Sequence, residues 1–233
     1  MVIDWIRYPG KARDYRGYVV RPKVAYTSPA LLILPDRWGL SPWIKHLAER
    51  LVHEGYVVMV PDVYDGQVPR EGGEARYLME HLVEGDGRDR VVTALHWLRN
   101  QGYTRAHRTA VIGFEGLAAL TPAVASAQRF PPAAVVLFYP FLQPILSQLD
   151  AWRVPVQAHF GEQDDQVPLS EVETFVRALE QAGVPHEVHI YPEARHDFFC
   201  PEAPSFFPDA AEQAWQRMLR FLDEVVRGGQ DAA

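Results

Sequence analysis

From Ala30 onward the chain alternates short apolar runs rich in β-branched residues with amphipathic stretches. That alternation is the pattern of repeated βα units building a largely parallel sheet. It predicts strands over Leu31–Leu34, Tyr56–Val60, Thr109–Phe114, Ala134–Tyr139, Val156–Phe160 and His186–Tyr191, with weaker ones before Ala30. Helices fill the gaps. Ser41-Pro42 supplies an N-cap followed by proline at the first helical position, and Trp43, Leu47 and Leu51 then recur at helical spacing until Gly55. A second helix is expected over Asp89–Gln101, with Val91, Val92, Leu95 and Leu98 on one face and Gly102 as terminator. Pro168–Ala182 and Asp209–Val226 read as the last two long helices, and the tail after Arg227 is expected to fray. No internal repeat or heptad array is visible, so the expectation is one α/β domain spanning residues 1–233.

Composition narrows the partners. A net charge of -7 and no basic stripe argue against nucleic acid, which leaves a small molecule as the expected partner. Residues 1–10 carry Asp4 and Arg7 inside their only apolar stretch, unlike a signal peptide, and the most apolar run, residues 133–146, is broken by Pro140, Gln143 and Pro144. No membrane association is expected. The lone cysteine, Cys200, cannot form an internal disulfide, which suits a reducing, cytoplasmic setting. A monomer or weak homodimer without metal or organic cofactor completes this expectation.

Three segments carry candidate chemistry, each directly after a predicted strand, where open parallel sheets place their sites. The first, Ile112-Gly113-Phe114-Glu115-Gly116-Leu117, runs strand into helix through a sharp turn. A nucleophile elbow has this form, with the next N–H, here that of Gly116, facing the site as an oxyanion donor. Phe160-Gly161-Glu162-Gln163-Asp164 and Arg195-His196-Asp197-Phe198 follow. Asp164 is placed to orient an imidazole and His196 to act as base, in the chain order nucleophile, acid, base of α/β-hydrolases.

These segments, together with Ile33-Leu34-Pro35-Asp36-Arg37-Trp38-Gly39-Leu40 and Val60-Pro61-Asp62-Val63-Tyr64, resemble the dienelactone hydrolase family along almost the whole chain. The resemblance implies an α/β-hydrolase fold, a mostly parallel central sheet with helices on both faces. It also implies hydrolysis of small esters or lactones, carried in that family by a Cys-His-Asp triad. It assigns the acid to Asp164 and the base to His196, and it puts Glu115 where the family has its cysteine. The following small residue has become Leu117, the family glutamate that manages the cysteine's proton is matched by Asp36, and an arginine used by some relatives is matched by Cys200. Arg37, Trp38, Tyr64, Gly116 and Phe199 join Asp36 as candidate substrate contacts.

A carboxylate that attacks an ester is expelled again in preference to the alkoxide, so ester hydrolysis through Glu115 is disfavoured. Three readings stay open. The site is degenerate or altered, with water attacking directly; or Glu115 attacks an sp³ carbon of a haloalkane or epoxide and forms an alkyl-enzyme ester; or the domain is a non-catalytic small-molecule binder or scaffold.

Overall fold

In the computed structural model, which describes residues 1–228, eight strands form one sheet in the order β1-β2-β4-β3-β5-β6-β7-β8. They are β1 (Val2–Pro9), β2 (Asp14–Arg21), β3 (Ser28–Leu34), β4 (Val57–Pro61), β5 (Thr104–Phe114), β6 (Ala134–Phe138), β7 (Val156–Gly161) and β8 (His186–Tyr191). Strands β3 to β8 pair in parallel, while β1 pairs antiparallel to β2 and β2 to β4. The expected frayed tail, Gly228 apart, lies outside the described residues.

The pleat explains the layers, because successive side chains of a strand face opposite ways. Leu31 and Ile33 of β3 pack under the helices α1 (Pro42–His53) and α7 (Pro208–Leu222), whereas Leu32 and Leu34 meet α2 (Gly72–Glu84) and α3 (Gly87–Arg99). Farther along the sheet, Val135, Leu137, Ala158 and Phe160 pack against α6 (Leu169–Ala182). Two one-turn helices, α4 (Pro122–Ala125) and α5 (Gln143–Leu146), line the connections around β6. No helix among the described residues is long and apolar enough to cross a membrane.

Several expectations need correction in detail. Ser41 precedes α1 but makes no side-chain cap, and its Oγ is buried without a partner. Helix α3 starts at Gly87 and ends against Asn100, before Gly102; Asp89 accepts from the Lys11 N–H and the Tyr15 hydroxyl, and Val92 is 40% exposed. The last helix stops at Leu222 and continues as a wide π turn, Asp223–Arg227. Helix α2 has no counterpart among the expected elements. Its two leading glycines mask a short buried stripe of Ala75, Met79 and Leu82.

The parallel strands bring every candidate segment to one edge of the sheet. The close approach of β7 to the loop after β8 fixes the geometry there: a Cβ on Gly161 would collide with the Ala194 carbonyl, whose carbon would stand 2.8 Å away. Backbone cannot yield as a flexible side chain can. Gly161→Ala should therefore lower stability by about 1–3 kcal/mol and loosen the loop carrying His196. Urea unfolding together with hydrogen exchange of residues 194–198 checks this; an unchanged midpoint with unchanged protection would contradict it.

Candidate active site

Residue 115 stands at the end of β5 with φ of +49°, the left-handed region that a non-glycine side chain enters at a cost of about 1–2 kcal/mol. The turn pushes the carboxylate off the sheet edge into a fully buried position. Its Oε2 accepts the main-chain N–H of Arg37 at 3.0 Å, and its Oε1 pairs with the Arg37 guanidinium. Oε1 also lies 3.9 Å from His196 Nε2.

On its other side the imidazole is held by Asp164, whose Oδ2 lies 2.8 Å from Nδ1. The second oxygen of Asp164 accepts the N–H groups of Gln166 and Val167 at 2.8 and 3.0 Å. One aspartate thus serves both as a turn former ahead of α6 and as partner of the histidine. Those bonds fix its rotamer and leave Nε2 as the free ring nitrogen.

Arg37 is clamped in turn. Its carbonyl accepts the Tyr64 hydroxyl at 3.0 Å, and its guanidinium reaches Gln166 Oε1 at 3.4 Å. Tyr64 belongs to the loop after β4, and Arg90 holds that loop through Asp65 at 2.7 Å while also bonding Asp86 at 2.9 Å. Arg37 lines a cleft of about 400 Å³ with Arg76, Met79, Gly116 and Phe141. Met79 packs on Gly116 where a Cβ would stand, and the Phe141 ring stacks on His196 with centroids 5.9 Å apart. The cleft therefore runs up to the buried pair of Glu115 and His196 but is closed from it by Arg37, Met79 and Phe141.

The remaining candidates are distributed differently. Asp36 is buried and turned toward the Trp38 N–H and Trp43 Nε1, each at 2.9 Å. Trp38 is a surface residue at 38% exposure, and Phe199 packs on Phe138 inside the core with ring centroids 4.4 Å apart. Cys200 is buried, and burial pushes its thiol up to about 12, away from the thiolate form a nucleophile needs. Glu115, Asp164, His196, Arg37 and Gly116 come together; Trp38 and Phe199 stand apart.

Sequence reasoning missed Tyr139 and Asp197. Both are left-handed, at φ +37° and +59°, so three of the six non-glycine residues with positive φ among the described residues meet around His196. Strain concentrated in one place points to a functional site. Tyr139 is fully buried with an unpartnered hydroxyl, its ring 5.0 Å from that of His196, and Asp197 Oδ1 lies 3.8 Å from Nε2. Neither position carried a motif, since the backbone angles that expose them are set by tertiary packing.

With this geometry in view, the comparisons with known proteins are decisive about kinship. The model of the dienelactone hydrolase family matches residues 15–226. The chain belongs to the dienelactone hydrolase family. It is 30% identical over 223 residues to a protein of Aquifex aeolicus named "Putative carboxymethylenebutenolidase", covering 91% of this chain and 94% of that one. A protein of the same name from Synechocystis is 25% identical over 237 residues, covering 95% and 96%. Among solved structures, a "Putative Dienelactone Hydrolase" of Klebsiella pneumoniae superposes with a TM-score of 0.87 at 23% identity, over 96% of this chain and 98% of that one. The α/β-hydrolase fold expected from the resemblance is the fold observed.

Asp36 gives the site a pH signature. Burial raises its carboxyl to about 6 from an ordinary 3.8, against the hydrogen bonds from Trp38 and Trp43. A carboxyl raised on folding stabilises the native state below its unfolded value and loses that contribution as pH climbs through the folded value. Wild-type protein should therefore lose stability relative to Asp36→Asn between pH 4 and 7, by roughly 3 kcal/mol for a shift of this size. Denaturation of both proteins across that range tests it, and a pH-independent difference would refute it.

Proposed function

We propose that this chain hydrolyses small ester- or lactone-type molecules at the Glu115–His196–Asp164 site, slowly, through water activated on His196 in place of acyl transfer to residue 115. Membership of the family supports the substrate class. The altered mechanism rests on the clamp that Arg37 puts on Glu115. In this fold the N–H from the loop after β3 is one of the donors that receive a developing oxyanion. Here that N–H is taken by Glu115 Oε2. A carboxylate hydrogen-bonded at one oxygen and ion-paired at the other is a poor nucleophile, which also disfavours attack on a haloalkane or epoxide carbon. The His196–Asp164 pair keeps its base geometry. Losing one oxyanion donor costs about 10²–10³ in rate, so the expected turnover is low.

A second reading, a non-catalytic small-molecule binder, is favoured by the closure of the site, since His196 is only 4% exposed beneath Phe141. Against it stands the left-handed backbone at Glu115, strain that a relaxed relic would shed. The same proposal keeps a small molecule as partner and a cytoplasmic setting, supported by the negative charge and the single buried cysteine.

Wild-type protein should hydrolyse activated aryl esters at a low rate that His196→Ala abolishes. Glu115→Cys, alone or with Leu117→Gly, should raise that rate by about a hundredfold, because it restores a nucleophile beside the imidazole and frees the Arg37 N–H. A folded Glu115→Cys protein with a titratable thiol and no His196-dependent rate would overturn the proposal in favour of the binding domain.

A further inference from the structure

Nε2 of His196 is flanked by two carboxylates, Glu115 Oε1 at 3.9 Å and Asp197 Oδ1 at 3.8 Å. Both separations are too long for a direct hydrogen bond and short enough for a shared small partner. The two acids differ in what else they hold. Glu115 is tied to Arg37 and its side chain is 1% exposed, whereas the Asp197 side chain is 28% exposed and hydrogen-bonds to no other side chain among the described residues. Asp197 also sits in the left-handed region at φ +59°, an arrangement that turns a residue adjacent to the histidine back toward its own neighbour's ring.

We propose that Asp197 is a further catalytic residue, the acceptor that orients the attacking water against His196; this rests on the water-activation reading above. One O–H of the water donates to Nε2 and the other to Asp197 Oδ1, which leaves the oxygen lone pair facing the substrate carbonyl. As the new C–O bond forms, the first proton passes to Nε2 and the carbonyl π pair moves onto its oxygen. Collapse of the adduct breaks the bond to the leaving alkoxide, which takes the proton back from Nε2; the products are the acid and the alcohol. Burial holds the Asp197 carboxyl above its ordinary value, against the lowering effect of His196 and Arg37 and with Asp164 adding to the rise. Asp36, Tyr139 and Cys200 also lie close enough to interact with it electrostatically.

Asp197→Asn is the direct test, because asparagine tolerates φ near +60° and keeps the side-chain shape while weakening acceptance of the water's O–H. Asp197→Gly, free of backbone strain at this position, is the second variant. In the wild-type background each should lower kcat on an aryl ester about tenfold with KM little changed. In the Glu115→Cys background the burst of first product, which reports acylation of the thiol, should persist while the steady-state rate, which needs water, falls by the same factor. A merely structural role would reduce burst and steady state together. If His196→Ala lowers the rate and neither Asp197 variant does, the role given to Asp197 is wrong and the water-activation reading survives. If no His196-dependent rate is found in either background, both are overturned.

Discussion

A carboxylate with no exposed surface, set at the end of a buried strand, must be neutralised or it destabilises the fold by several kcal/mol. Arg37 meets that demand for Glu115 with a main-chain N–H and a guanidinium at once. The rest of the site follows from this pairing. Arg37 can serve only if its loop is fixed, which ties the site to Tyr64, and through the loop after β4 to the buried Arg90 and its two aspartates. The guanidinium at the same time closes the end of the cleft that leads to His196. Charge balance and access are thus set by one side chain.

The pairing also separates the proposed site into two halves. The base half is intact: Asp164 holds Nδ1 and leaves Nε2 free. At the nucleophile position of the elbow stands Glu115, whose Oε2 takes the Arg37 N–H; under the function proposed above, that N–H is the donor a reaction intermediate would need. Left-handed backbone at Glu115, Tyr139 and Asp197 shows that the surrounding fold still over-determines this region instead of letting it relax.

Much of this was legible in the sequence because the signals were local. Apolar runs marked the central strands, and strand ends marked Glu115, Asp164 and His196, since a parallel sheet delivers its C-terminal ends to one place. What stayed hidden depended on distant contacts. Helix α2 is amphipathic only over Ala75, Met79 and Leu82 and opens with Gly72-Gly73, so its periodicity is weak. Val92 fits the apolar pattern of α3 yet faces outward, because the buried stripe of that helix runs through Arg90, Val91, Ala94, Leu95 and Leu98 and leaves Val92 outside it. Asp36 stands where the resemblance places the family's glutamate but is one methylene shorter, and both its oxygens are taken by tryptophan N–H groups. Arg37 was visible as a candidate substrate contact; that its first partner is the chain's own Glu115 is a fact of three-dimensional packing.

A double-mutant cycle on Arg37 and Glu115 reaches the centre of this account. Unfolding free energies of the wild type, Arg37→Met, Glu115→Gln and the double variant give the coupling directly. A buried ion pair should show coupling of about 2–4 kcal/mol, well above the 0–1 kcal/mol typical of exposed ion pairs, with the double variant more stable than the sum of the single losses implies. Additive losses would mean that the Arg37 guanidinium does not hold Glu115, and the claim that one side chain sets both charge balance and access would fall with it.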